Sequence, residues 1–336
     1  MSSPPRLIDL HCDWLLQYAS ETTVFDPALY EGTSGRLGQA EGYLSGTSAA
    51  VLSCYRRVDD WARQADPWSA LAALITRIEA EFPGRILIGP DDHARWLDDP
   101  EGLCWAVIGV EGFDSLVTTP ADLGRLPGLF ERGVRVFQPV YSAGNALAGS
   151  SVEGDERGLT DLGRGFLETL AGLAADDGPR PLLDLAHMNP TAASESLSWW
   201  EADPARSDRL IPIYSHGALR HEAFPTTRAI TLENLARLRA LGGVVGLSVG
   251  PPFFASVAQL RANVAAVAAL PFLKRSGFEG IAIGTDFLGV DETLPGLGSV
   301  EEVVAWASSA FSPDAANALI GGNGGRLFAR AVGANH

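Results

Sequence analysis

Six residues of metal-ligand type each stand where a short apolar run of this chain ends. His11 and Asp13 close Leu7-Ile8-Asp9-Leu10, and Glu111 closes Ala106-Val107-Ile108-Gly109-Val110. His187 follows Leu182-Leu183-Asp184-Leu185, His216 follows Ile211-Pro212-Ile213-Tyr214, and Asp286 follows Ile281-Ala282-Ile283-Gly284. In a barrel of parallel strands all such ends meet on one face, where that fold keeps its chemistry. Neutral imidazoles mixed with carboxylates suit zinc, and sites of this kind also accept other divalent ions. His11 and Asp13 can hold one ion and His187 and His216 a second, with Glu111 bridging through its two oxygens. Paired ions acidify a shared water and polarise a carbonyl, which is the logic of hydrolysis. Asp286 is then free to take the water's proton and pass it to the leaving group.

Each residue alone has a plainer explanation. An H-x-D at a strand end is a weak signal, Glu111 before Gly112 can be a loop carboxylate, and a lone histidine is often a satisfied core residue. Asp286 can cap a turn. The combination on one face favours a site. His93, in Asp91-Asp92-His93, reads as a polar helix start, His221 follows His216 closely, and His336 is terminal, so these three stay outside it. Cys12, between His11 and Asp13, points to the opposite face of an extended strand and is expected to pack rather than ligate.

The elements that must position these residues are legible as eight strands: Leu7–His11, Ala49–Cys54, Ala106–Glu111, Val134–Pro139, Leu182–Leu185, Ile211–Ser215, Val244–Val249 and Ile281–Thr285. Each is a short apolar or β-branched run, as expected of strands buried on both faces. Segments of helical periodicity lie between them, including Pro67–Glu81, Ala121–Arg132, Asp161–Ala175, Leu232–Leu241 (capped by Thr231) and Val257–Arg275. Such alternation predicts a (β/α)8 TIM barrel, with a doubly wound open sheet as the alternative, and with metal-type residues at its strand ends the barrel resembles the metal-dependent amidohydrolases. Glu21–Gly46, rich in Gly, Ser and Thr, is expected to form a long loop over the mouth, and Gly289–Gly298 a second loop. Two final helices, Val300–Ala310 and Asp314–Arg330, are expected on the outside of a single domain spanning residues 1–336.

Bulk properties are those of a soluble globule, with 46% hydrophobic and 20% charged residues. A net charge of −16, with Lys274 the sole lysine, argues against nucleic acid as a partner. No apolar run approaches the roughly 20 residues needed to span a bilayer, and neither a leader nor a lipid-anchor tail is visible, so a cytoplasmic protein is the expectation. Three cysteines without C-x-x-C spacing give no zinc knuckle.

Seven ordered motifs resemble those of the membrane dipeptidase (renal dipeptidase) metallopeptidases. They are Ile8-Asp9-Leu10-His11-Cys12-Asp13, Ile108-Gly109-Val110-Glu111-Gly112, Gly158-Leu159-Thr160-Asp161-Leu162-Gly163-Arg164, Asp184-Leu185-Ala186-His187, Tyr214-Ser215-His216, Ile283-Gly284-Thr285-Asp286-Phe287 and Leu319-Ile320-Gly321-Gly322-Asn323. The resemblance implies a binuclear zinc dipeptidase acting on small peptide substrates. It assigns His11 and Asp13 to one zinc, His187 and His216 to the other, Glu111 to both, and proton transfer to Asp286. It implies that Arg228, in Thr227-Arg228-Ala229-Ile230, binds the substrate's terminal carboxylate, which suits a guanidinium fork. Relatives are often homodimers. The chain departs from the family in several places: Tyr141 stands where a histidine is common after the fourth strand, and a phenol can donate to a developing oxyanion. Ala186 replaces a serine, Met188-Asn189-Pro190 replaces V-S, and Leu247-Ser248-Val249-Gly250-Pro251-Pro252 is atypical. These departures keep open a metal-dependent hydrolase of another amide or a lactone and, more remotely, a catalytically silent ligand-binding barrel.

Overall fold

The computed structural model describes residues 5–21, 25–30, 33–152, 155–221, 226–251, 253–273, 275 and 277–334. Eight parallel strands close into a barrel in chain order: β1 (Leu7–Cys12), β2 (Thr47–Tyr55), β3 (Trp105–Glu111), β4 (Val134–Gln138), β5 (Leu182–Asp184), β6 (Ile211–Tyr214), β7 (Val244–Leu247) and β8 (Ile281–Ile283). Closure is made by β1 pairing with β8, Asp9 opposite Ile283. All eight predicted strands are present, with ends shifted by a residue or two.

Two apolar layers explain why the strands read as continuous hydrophobic runs. Ile8, Val51, Val107, Val136, Ile213 and Ala282 pack together inside the barrel, while Ala50, Ile108, Val110, Phe137 and Val245 belong to the outer layer shared with the helices. Period-two alternation therefore carries Val107 inward and, two steps on past Gly109, Glu111 as well. On β1 the alternation is broken by a register shift between Asp9 and Cys12, which oppose Ala50 and Leu52. Three steps on β1 match two on β2, a bulge that lets His11 and Asp13 face the barrel while Asp9 turns aside. Cys12 packs in the outer layer, as its alternation predicts.

Helix starts follow ordinary capping chemistry. Asp66 accepts from Trp68 N ahead of Pro67–Glu81, Thr160 from Gly163 N ahead of Asp161–Gly172, and Thr231 from Asn234 N ahead of Leu232–Ala240. Several helices are shorter than their periodicity suggests. The run after Ser256 ends at Ala269, before Pro271, and Ala121–Arg132 divides into a 3-10 turn (Pro120–Arg125) and an α-helix (Leu126–Glu131) with Pro127 at its start.

Three expectations are corrected. Glu21–Gly46 is not a structureless loop: it carries helical turns at Pro27–Leu29, Thr33–Ala40 and Tyr43–Gly46, with Phe25, Tyr30 and Tyr43 buried. Those aromatics supply the core that its Gly, Ser and Thr content obscured. The final helix Asp314–Arg330 is broken into Pro313–Asn317, a π-turn at Ala318–Gly322, and Asn323–Ala331. Its last segment does not lie on the outside, because Leu327 and Phe328 are buried with Ile8, Leu10 and Val244 and close the base of the barrel. Among the described residues, no helix is long and apolar enough to cross a membrane.

Candidate metal centre and active site

The carboxyl ends of the strands converge on one buried cluster. Glu111, at the end of β3, places Oε2 3.3 Å from His11 Nε2 and Oε1 3.3 Å from His187 Nε2. His187 Nε2 lies 3.0 Å from His216 Nε2, and His11 Nε2 lies 3.8 Å from Asp13 Oδ1. Ligand atoms of His11, Glu111 and His216 lie within 4.8 Å of one another, as do those of His11, Asp13 and Asp286. All six strand-end residues are buried. Each predicted metal-type residue is thus brought to one place.

Local structure holds them there at some cost. His187 and Asp286 have left-handed backbones, φ +65° and +62°, a conformation that costs a non-glycine residue of order 1–3 kcal/mol and concentrates at functional sites. The turn at Asp286 is fixed by its N–H donating to His11 O (3.1 Å) and by Val290 N–H donating to its carbonyl (3.0 Å). His216 enters the barrel on the backbone of Ser215, whose carbonyl is approached so closely by Gly246 and Gly284 that a Cβ on either would overlap it. Asp184 accepts from the N–H groups of Ala186 (3.0 Å) and Ser215 (2.9 Å), tying the two histidine-bearing strand ends together.

Charge balance in the cluster follows from burial and proximity. Burial works to raise the Glu111 carboxyl, but His11, His187 and the Gln138 amide outweigh it and bring it down to about 2. Burial and the Arg228 guanidinium push His187 down to about 3, and burial with His11 and His187 pushes His216 well below the usual imidazole range. Both are therefore neutral at pH 7, the form that ligates metal. His11 is opposed by burial but raised to about 10 by the surrounding carboxylates Glu111, Asp13 and Asp286. Burial lifts Asp286 to about 6 against the pull of His11 and Arg228.

The donor set fits divalent ions. Asp13 Oδ1 is buried without a hydrogen-bond partner among the described residues, and an orphaned buried polar atom is costly unless something binds it. Two imidazole nitrogens 3.0 Å apart likewise cannot both present lone pairs to each other. His11, Asp13, Glu111, His187 and His216 bring together donors of the types that could hold a divalent ion.

Around the cluster lie groups that strand-end inspection for metal-type residues passed over. Gln138 donates from Nε2 to Glu111 Oε1 (3.0 Å), and Ser53 donates to Glu111 Oε2 (3.3 Å). Both sit near strand ends, on β4 and β2, and counting amides and hydroxyls there would have found them. Asp9 accepts from Tyr43 Oη (2.8 Å), Thr285 N (2.9 Å) and Thr285 Oγ1 (2.6 Å), clamping β1 to the residue before Asp286. Arg228 Nη2 lies 3.3 Å from His187 Nε2, with its guanidinium 5.3 Å from the Phe253 ring centre. The Tyr141 ring centre lies 4.6 Å from those of both His187 and Tyr55, tilted against each, and burial pushes its phenol well above its ordinary value, so it stays a donor. A cavity of about 410 Å³ opens beside the cluster, lined by Asp13, Tyr30, Tyr55, Arg57, Tyr141 and Gly289 among others. Arg36 pins its rim, donating to the carbonyls of Leu288 (3.0 Å) and Gly289 (2.9 Å) and to Asp291 (2.8 Å).

His93 lies on the helix Pro90–Leu97 against Trp96, away from the cluster, and His221 lines a separate small pocket with Phe253 and Phe254. His336 falls outside the described residues.

An eight-stranded parallel barrel with buried histidines and carboxylates at its strand ends is the architecture of metal-dependent hydrolases. The chain belongs to the membrane dipeptidase family (peptidase family M19), whose model matches residues 3–331. It is 28% identical over 239 residues to an uncharacterized protein in the pqqA 5' region of Klebsiella pneumoniae, covering 68% of this chain and 80% of that one. It is 27% identical over 205 residues to an uncharacterized dipeptidase of Schizosaccharomyces pombe, covering 58% of this chain and 44% of that protein. Its fold is similar to a metallo peptidase from Rhodobacter sphaeroides liganded with a phosphinate mimic of the dipeptide L-Ala-D-Ala, at TM-score 0.73 and 18% identity over 98% of this chain and 100% of that one. The probable dipeptidase PvdM from Pseudomonas aeruginosa is similar at TM-score 0.70 and 15% identity, covering 98% and 96%.

Proposed function

We propose that this chain is a dipeptidase that works with two divalent ions, zinc being the first candidate from its nitrogen and oxygen donors. The observation that carries the reading is the Glu111 carboxylate, one oxygen toward His11 and the other toward His187, inside a buried set of three histidines and three carboxylates. His11 and Asp13 would hold one ion and His187 and His216 the other, with Glu111 facing both. Bound there, such ions would supply Lewis acidity toward the scissile carbonyl and an acidic water.

The remaining work falls to the chain's own residues. Arg228 takes the terminal carboxylate of the peptide and so sets its register against the cluster. Tyr141 donates its phenolic proton to the carbonyl oxygen as charge develops on it. Asp286 accepts the proton of the attacking water and returns it to the leaving amine. The phosphinate dipeptide mimic in the Rhodobacter sphaeroides relative supports a substrate of this size.

Metal content of the purified protein, followed by hydrolysis of L-L and L-D dipeptides with and without zinc, tests the reading. About two ions per chain with metal-dependent cleavage is the expected result. Full metal occupancy without dipeptide cleavage would replace it with a hydrolase of another amide or a lactone. Absence of metal binding would remove the metal centre altogether.

A further inference from the structure

We propose that Arg57 selects dipeptides whose amino-terminal residue carries an acidic side chain; this deepens the dipeptidase reading and rests on it. Arg228 stands beside His187, on the β5–β6 side of the cluster, and does not line the cavity of about 410 Å³. Asp13, Tyr55 and Gly289, from the ends of β1, β2 and β8, line that cavity together with Tyr141 after β4. A dipeptide with its carboxylate on Arg228 and its scissile carbonyl at the metal ligands therefore sends its first residue into the cavity.

The charges there are unequal in availability. Arg36 is already committed to Asp291 and two carbonyls, and Asp13 belongs to the ligand set. Arg56, the neighbour of Arg57, is buried and bonded to Asp60 at 2.8 Å, so it does not compete for substrate. Arg57 has no carboxylate partner among the described residues. Its guanidinium lies 5.4 Å from the centre of the Tyr30 ring, and its backbone N–H donates to Tyr30 Oη at 3.0 Å. Tyr30 is itself buried and donates to Asp60 Oδ2 at 2.9 Å. The cation thus rests on an anchored aromatic platform at the cavity wall, which limits the entropy lost when it meets a carboxylate. Asp59 also lines the cavity, in the first turn of the helix Val58–Arg63, where the helix amino terminus favours its ionised form.

The test compares kcat/KM of the metal-loaded full chain for L-Glu-L-Ala, L-Gln-L-Ala and L-Lys-L-Ala. Glu-Ala should be preferred over Gln-Ala by about fivefold, the size that a partly exposed ion pair supports. The difference should lie in KM rather than kcat. Arg57→Gln should bring the ratio to about one, Arg57→Lys should keep part of it, and Arg57→Glu should shift preference toward Lys-Ala by a similar factor. Turnover of all three peptides with a ratio that Arg57→Gln and Arg57→Glu leave unchanged overturns this inference alone. Absence of turnover with every dipeptide overturns the dipeptidase reading and this inference with it.

Discussion

Glu111 faces His11 with one carboxylate oxygen and His187 with the other, at 3.3 Å in each case. These histidines come from β1 and β5, on different sides of the barrel, so a single side chain spans the two halves of the cluster. Its orientation is set by Gln138 and Ser53, which hydrogen bond one oxygen each. The position of Glu111 between the two histidines therefore depends on Gln138 and Ser53.

Gln138→Leu removes the amide that holds Glu111 Oε1 without altering any predicted ligand. Metal affinity should fall about 10- to 100-fold, the usual effect of losing such a supporting hydrogen bond. Titration with a competing chelator checks this, and circular dichroism should show an unchanged fold.

Asp286→Asn keeps the shape of the side chain but removes its capacity to take a proton. Turnover should fall by about 10²- to 10⁴-fold, while metal content stays close to that of the unaltered chain. Parallel metal analysis and kcat measurement separate this role from ligation: a variant that loses metal would make Asp286 a ligand instead.

Gly289→Ala probes the crowding between two carboxylates. A Cβ at this position would overlap Asp13 Oδ2 and Asp286 Oδ1, forcing both to move. Because displacements of about 1 Å near reacting groups cost about 10²-fold, kcat/KM should drop by about that factor. A thermal melt of the metal-free protein should change little, since no apolar packing is lost.

Arg228→Ala should lower kcat/KM about 10- to 100-fold for free dipeptides, mainly through KM, as expected for losing a charge-assisted hydrogen bond. Dipeptide amides, which lack the terminal charge, should lose much less. Equal losses for the two substrate types would mean that Arg228 acts on His187, 3.3 Å away, and not on the carboxylate.

The closed barrel and the meeting of His11, Asp13, Glu111, His187, His216 and Asp286 were legible because parallel strands buried on both faces leave unambiguous apolar runs, and five of the eight runs end at a residue that apolar burial cannot explain. Arg228 and Tyr141 were legible only through the family resemblance, since nothing in their local sequence ties an arginine in a loop or a tyrosine past a strand to a distant cluster. Less could be read where local pattern conflicts with long-range contact. The segment Glu21–Gly46 looks like a loop by composition, yet Tyr30 and Tyr43 bury themselves against Asp60 and Asp9 and give it helical turns.

The sequence by itself determined which residues reach the mouth of the barrel, because strand period and strand ends are local properties of the chain. Only the tertiary structure decided how they are oriented there. The bulge on β1 turns Asp9 away from the cluster that His11 and Asp13 enter, and the left-handed turns at His187 and Asp286 aim their side chains inward. The hydrogen bonds of Gln138 and Ser53 to Glu111 join residues 27 and 58 positions apart. Such contacts exist only once β2, β3 and β4 have paired in register, since no periodicity within a strand encodes which neighbour it will meet.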